Sequence, residues 1–141
     1  MSAEKYKSIV KRALEHFSQG NLDAYLELYS TNPTLHYLPP GLPPGLEGAR
    51  LFYGGFLAGF PDSQLSADDM IVDDNKVAVR YTLQATHQGE FMNIPPTNKR
   101  VTTCGITILR FEGDKVVERW SEADFLGLMQ QLGVIPAPEE A

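Results

Sequence analysis

The densest chemistry in this sequence lies in Arg119-Trp120-Ser121-Glu122-Ala123-Asp124, a run that carries a cation, an indole and two carboxylates. A carboxyl group pressed against Trp120 would lose hydration, and its pKa would rise towards neutrality, as a general acid or base requires. Asp124 or Glu122 is then the candidate base. The same run also reads as a helix start, because Ser121 followed three residues later by Asp124 has the form of a capping box. Both readings stand at this point. His36, in Leu35-His36-Tyr37, and His87, in Thr86-His87-Gln88-Gly89, each bring an imidazole able to shuttle a proton. Either serves equally well as a hydrogen-bonded structural residue at a strand end. Phe91 and Met92 fall in an irregular loop and are expected near the mouth of a cavity, as a lid.

Other chemistries find no support in the spacing. His16, His36 and His87 are far apart, and Asp68, Asp69, Asp73 and Asp74 lack the pattern and glycine of a calcium loop. Cys104 has no histidine near it in sequence and is expected to pack as a small apolar residue. No serine sits in a Gly-x-Ser-x-Gly turn, and Gly41, Gly45 and Gly48 are wrongly spaced for a phosphate loop. Neither a metal nor a cofactor is expected. The net charge of −6 argues against a nucleic-acid partner, which would call for a basic stripe. No run approaches the roughly 20 apolar residues of a membrane span. The first residues read as an amphipathic helix rather than a signal peptide. With 1 cysteine no internal disulfide forms, and a cytoplasmic location is expected.

These side chains need elements to position them. At 141 residues, 43% of them hydrophobic, the chain suits a single domain over 1–141 with a core of its own. Ser2 is placed to cap a first helix, with Tyr6, Ile9, Val10, Ala13 and Phe17 on one face and Gly20 at its end. Asn21 is placed to cap a short second helix with Leu22, Tyr25, Leu26 and Tyr29 inward. A third helix is expected after Gly48, with Ala49, Phe52, Tyr53, Phe56 and Phe60 in a stripe that Pro61 stops. The period then changes to that of strands. Residues 64–73 and 76–87 pair across Asp73-Asp74-Asn75, and 99–111 and 115–121 pair across Glu112-Gly113-Asp114. A last helix is expected over 122–132, followed by a frayed tail over 136–141.

Helices followed by a meandering sheet predict an α+β fold, a cone-shaped, curved antiparallel sheet backed by helices. Such a cone opens at one end, and an interior lined by aromatics is a ligand cavity. Alternation puts Thr103, Gly105, Thr107, Arg119 and Ser121 on the inner face, and Thr102, Ile106 and Ile108 on the outer one. Tyr53, Phe60, Phe91, Met92, Thr107 and Arg119 are expected to line one cavity, with His87, Trp120 and Ser121 also in reach of a ligand.

The strings His36…Pro39-Pro40-Gly41-Leu42-Pro43-Pro44-Gly45, Thr86-His87-Gln88-Gly89-Glu90-Phe91…Ile94-Pro95-Pro96-Thr97 and Trp120…Asp124…Gly127-Leu128…Gln130-Gln131-Leu132-Gly133 resemble the SnoaL-like polyketide cyclases, or ester cyclases. The resemblance runs over nearly the whole chain. It implies the helix-backed cone of the nuclear-transport-factor-like superfamily and a homodimer paired through the outer face of the sheet. It also implies cofactor-free ring closure by aldol condensation, with an aspartate as acid/base and polar neighbours on the enolate oxygen. Matched residue by residue, that aspartate falls on Ser121. The family's histidine and glutamine one strand earlier fall on Thr107 and Gly105, and a last-strand histidine falls on Arg119. A serine hydroxyl does not take up a proton as a carboxylate does, so the founding mechanism does not transfer unchanged. His36, His87, Trp120 and Asp124 match the wider family.

The expectation is therefore an enzyme, a cyclase, isomerase or hydrolase acting on a small apolar carbonyl ligand. Asp124 or Glu122 would be the base, His36 a partner acid, and Ser121, Thr107 and Arg119 would steady oxygens. A non-catalytic binding domain of the same shape is the alternative, and a dimerisation module a more distant one.

Overall fold

The computed structural model describes residues 1–136. The expectation of a frayed tail falls mostly on 137–141, which lie outside the described residues. Helix α1 (Ala3–Ser18) begins where the Ser2 hydroxyl accepts the Lys5 N–H at 3.2 Å. It buries Tyr6, Val10, Ala13 and Phe17, one face at helical spacing. Helix α2 (Leu22–Leu26) starts in the same way, with the Asn21 side chain accepting the Ala24 N–H.

The chain then forms a strand that the sequence reading passed over, β1 (Tyr29–Leu35). Tyr29, expected on the second helix, opens it. Asn32 and Pro33 break the alternation, and proline is tolerated because this is an edge strand, with one side unpaired among the described residues. Helix α3 (Gly45–Gly59) starts earlier than expected, with Pro44 at its cap. Gly48 is required there because a Cβ would collide with the Pro43 carbonyl.

Strands β2 (Gln64–Asp73), β3 (Lys76–Thr86), β4 (Arg100–Glu112) and β5 (Lys115–Ala123) follow, giving the sheet order β1-β5-β4-β3-β2. Three pairings are antiparallel. The fourth is parallel, β1 beside β5 with Leu35 opposite Arg119. Strand β5 runs through Ala123, and the Asp124 N–H still donates to the Cys104 carbonyl at 2.9 Å. Helix α4 (Phe125–Gln131) therefore begins later than the expected residue 122.

The expected inner and outer faces hold. Thr103 and Thr107 are buried, and the outward Ile106 and Ile108 are exposed. Cys104 shares that outer face and is exposed, a correction to its expected packing. The main core lies between α1, α2, α3 and the inner sheet face, around Val10, Phe17, Val79 and Leu109. A second cluster, with Phe60, Ala85, Val101, Leu128 and Leu132, joins the end of α3 to α4. The 88–98 loop is pinned to α3, since Gln88 and Gly89 both donate to the Gly59 carbonyl. No helix among the described residues is long and apolar enough to cross a membrane.

Candidate active site

Between the helices and the inner sheet face lies a cavity of about 660 Å³. Its walls are mostly apolar, from Val10, Phe17, Phe52, Phe56, Leu83 and Leu109. Its polarity is concentrated on Arg119, whose guanidinium reaches inward from β5. Nη1 donates to the hydroxyls of Tyr25, Tyr29 and Tyr53 at 2.9, 2.6 and 2.9 Å. Nε donates to Thr107 at 2.7 Å and to Ser121 at 3.1 Å. The Tyr37 ring covers one face, 4.8 Å from the guanidinium carbon.

Nη2 stands apart. It has no acceptor among the described residues, although Arg119 lines the cavity. Nor is it sealed away, since the buried polar side-chain atoms without a partner are His16 Nδ1 and His87 Nε2. Arg50, Arg80, Arg100 and Arg110 pair with carboxylates, but among the described residues Arg119 does not. Burial opposes its charge, yet the surrounding phenolic oxygens outweigh that and hold its pKa well above the ordinary range. The phenols respond to the same burial. Desolvation pushes Tyr29 up to about 12, and Tyr25, Tyr37, Tyr53 and Tyr81 upward as well. They are neutral at ordinary pH and serve as hydrogen-bonding groups, not bases.

Hydrogen accounting fixes what the small hydroxyls do. Thr107 Oγ1 lies 2.8 Å from the Trp120 carbonyl, which only accepts, so the Thr107 hydrogen is committed there. The 2.6 Å contact between Thr107 and Ser121 then has Ser121 as its donor. With both hydrogens used inside the protein, Thr107 and Ser121 orient Arg119; both Thr107 lone pairs are taken by Ser121 and Arg119, and Ser121 alone keeps one for a ligand. Tyr81 completes the set. Its hydroxyl occupies the space over Gly105 where a side chain would stand, lines the cavity and has no partner among the described residues.

Tyr53, Phe91, Met92, Thr107, Arg119, Ser121, Glu122 and Asp124 all border this one cavity. Met92 is also 61% exposed, which puts it at the mouth. Other expected placements are corrected. Glu122 pairs with the outward-facing Ile106, and cross-strand partners share a face, so it contributes backbone to the wall and not its carboxylate. Trp120, between two inward residues, points outward and stacks on His36 at 5.1 Å. His36 bonds Glu118 at 2.7 Å on that side, away from the cavity. His36 and Arg110 together hold the Glu118 carboxyl below its ordinary range.

Phe60 and His87 also lie away from the cavity wall. Both are fully buried and stacked on each other, and His87 Nδ1 faces Thr97 Oγ1 at 2.9 Å. Asp124 is itself the helix cap, accepting the Gly127 N–H at 2.9 Å, so the capping residue is not Ser121. Tyr25, Tyr29, Tyr37 and Tyr81 were not singled out in the sequence. A signal existed, because an arginine on the inward face of a strand must find polar partners, and buried tyrosines supply them.

A profile of the SnoaL-like polyketide cyclases matches residues 7–132. The chain is similar to AclR of Streptomyces galilaeus, a candidate hydroxylase, at 28% identity and a TM-score of 0.89, covering 99% of this chain and 87% of that one. It is also similar to IdmH of Streptomyces antibioticus, a candidate polyketide cyclase, at 27% identity and a TM-score of 0.78, covering 91% and 98%. TsrD of Streptomyces laurentii, at 23% identity, shares the fold with a TM-score of 0.86 over 96% and 99%. No curated protein matches the sequence significantly. With the family profile spanning nearly all of the described fold, the chain belongs to the SnoaL-like polyketide cyclase family.

Proposed function

We propose that this protein is a cofactor-free enzyme that closes or isomerises a small carbonyl compound of polyketide type by acid/base chemistry. The observation that carries the reading is Arg119, which lines a mostly apolar cavity and whose Nη2 is a charged donor without an acceptor among the described residues. Together with the Tyr81 hydroxyl it offers donors to substrate oxygens. Negative charge on an oxygen placed there is stabilised by preorganised groups in a site of low dielectric.

Asp124 is the base. It borders the same cavity, and Oδ1 carries the cap bond. The carboxylate takes a proton from the carbon beside the carbonyl, and the C–H electron pair moves to form an enolate whose oxygen rests on the donors. The enolate carbon then attacks a second carbonyl of the same molecule, or is reprotonated elsewhere for an isomerisation. The proton on Asp124 returns to the product.

Exchange of the α-hydrogens of an aromatic 1,3-diketone in D2O, followed by NMR, tests this without knowledge of the natural substrate. Wild type is expected to accelerate exchange and Asp124→Asn to lose the acceleration. Thermal unfolding with the same diketone separates binding from chemistry, since ligand at a hundredfold excess over Kd adds about 2.7 kcal/mol. Stabilisation without exchange would replace the enzyme with a binding protein. The cap bond of Asp124 favours that second reading, because it occupies one carboxylate oxygen. No stabilisation at all would sink both.

A further inference from the structure

Arg119 carries a permanent charge, and every partner it has among the described residues is a neutral hydroxyl or a ring face. A half-buried cation of this kind carries a desolvation cost that an anion would offset, and none of the ion pairs among the described residues includes it. A brace for the tyrosines would not need a charge, since neutral groups join hydroxyls at lower desolvation cost. Arg119 lines the cavity with Nη2 unpaired among the described residues, and the rest of the wall is mostly apolar, with the Asp124 cap residue on it and no second cation.

We infer that the ligand is a monoanion, a free carboxylic acid rather than its ester, that enters carboxylate first and docks on the Nη2 of Arg119. This rests on the cavity being the binding site, as in the reading above, and names the class of compound it takes. The carboxylate supplies the counter-charge that the protein withholds. Tyr81 remains as a donor to a neighbouring carbonyl, and the apolar walls take the carbon skeleton. The Ser121 and Thr107 hydrogens are already committed, so they keep the guanidinium plane fixed while Nη2 binds. An ester would place a methyl group against a charge that then stays unpaired.

The test compares anthracene-2-carboxylate with its methyl ester by fluorescence titration at neutral pH. Wild type is expected to bind the acid at least about tenfold more tightly than the ester, the ratio that one lost charge interaction gives. Arg119→Met is expected to abolish or reverse that preference, and Arg119→Lys to keep part of it. Circular dichroism checks that each variant folds. If Arg119→Met does not fold, the comparison on wild type decides alone. An ester bound as tightly as the acid, or no binding of the carboxylate, overturns the inference. Such a result leaves the α-hydrogen exchange test unaffected, so the two readings fail separately.

Discussion

Asp124 serves the fold and borders the cavity at the same time, and one pair of variants separates the two roles. Asparagine caps a helix as well as aspartate, so Asp124→Asn keeps the Gly127 bond and removes only the base. Asp124→Ala loses both and is expected to cost about 0.5–2 kcal/mol in urea unfolding, whereas the asparagine variant stays within a few tenths of wild type. A full loss of stability in the asparagine variant would show that charge, not capping, holds this helix start. Gly105 poses a problem of space instead. A Cβ there would meet the Tyr81 hydroxyl and lie 2.8 Å from the Glu122 carbonyl. Gly105→Ala is expected to destabilise by about 1–3 kcal/mol in denaturant unfolding, since backbone does not give way. An unchanged midpoint would mean that Tyr81 swings clear and is not fixed over the strand.

The turn after α3 is held to the end of β3 by a single carboxylate. Asp62 accepts the Thr86 backbone N–H at 2.6 Å and the Thr86 hydroxyl at 2.7 Å, and Arg100 lies at 3.1 Å. Partial burial works against its ionised form, but those donors outweigh it and hold the pKa below the ordinary 3.8. A depressed carboxylate stabilises the fold above its unfolded pKa, so this contribution is complete above about pH 4 and fades as pH falls below that. Asp62→Asn is expected to cost about 1 kcal/mol at pH 7, discounted for exposure. The difference from wild type should shrink as denaturation is repeated towards pH 3. A gap that stays constant with pH would assign the effect to shape and not to charge. The edge strand β1 shows how a local sequence signal fails. Tyr29 through Leu35 lacks a clean alternation because Asn32 and Pro33 interrupt it, and only pairing with β5 gives the segment its form.

The whole molecule leaves Ile106 at 55% and Ile108 at 40% exposed on the outer sheet face, beside Trp120. Apolar area of this kind on an open sheet is expected to be covered by a second copy of the chain. Light scattering at tens of micromolar is expected to give a dimer, and Ile106→Glu with Ile108→Glu to give a monomer that keeps its fold by circular dichroism. A monomeric wild type at that concentration would count against the assembly. The cavity opens on the opposite side of the sheet, so this variant should bind anthracene-2-carboxylate as wild type does.

Much of this arrangement is local and therefore readable from sequence. The helical period of Tyr6, Val10, Ala13 and Phe17, the caps at Ser2 and Asn21, and the strand alternation each depend on neighbours in the chain. Alternation alone turned Thr107, Arg119 and Ser121 towards the interior. The same alternation carries Trp120 and Glu122 outward, so their nearness in sequence to Arg119 and Asp124 misled the reading of the site. His87 and Phe60 were misplaced for another reason, since no periodicity distinguishes a cavity wall from a second core behind it. The arginine site was hidden most deeply. Tyr25 on α2, Tyr29 on β1, Tyr37 beyond it and Tyr53 on α3 meet only because β1 returns parallel to β5, with Leu35 opposite Arg119. Hydrophobic patterning determines which face of an element is buried. Which polar tips converge on one half-buried charge is decided by long-range pairing, and only the tertiary structure holds that information.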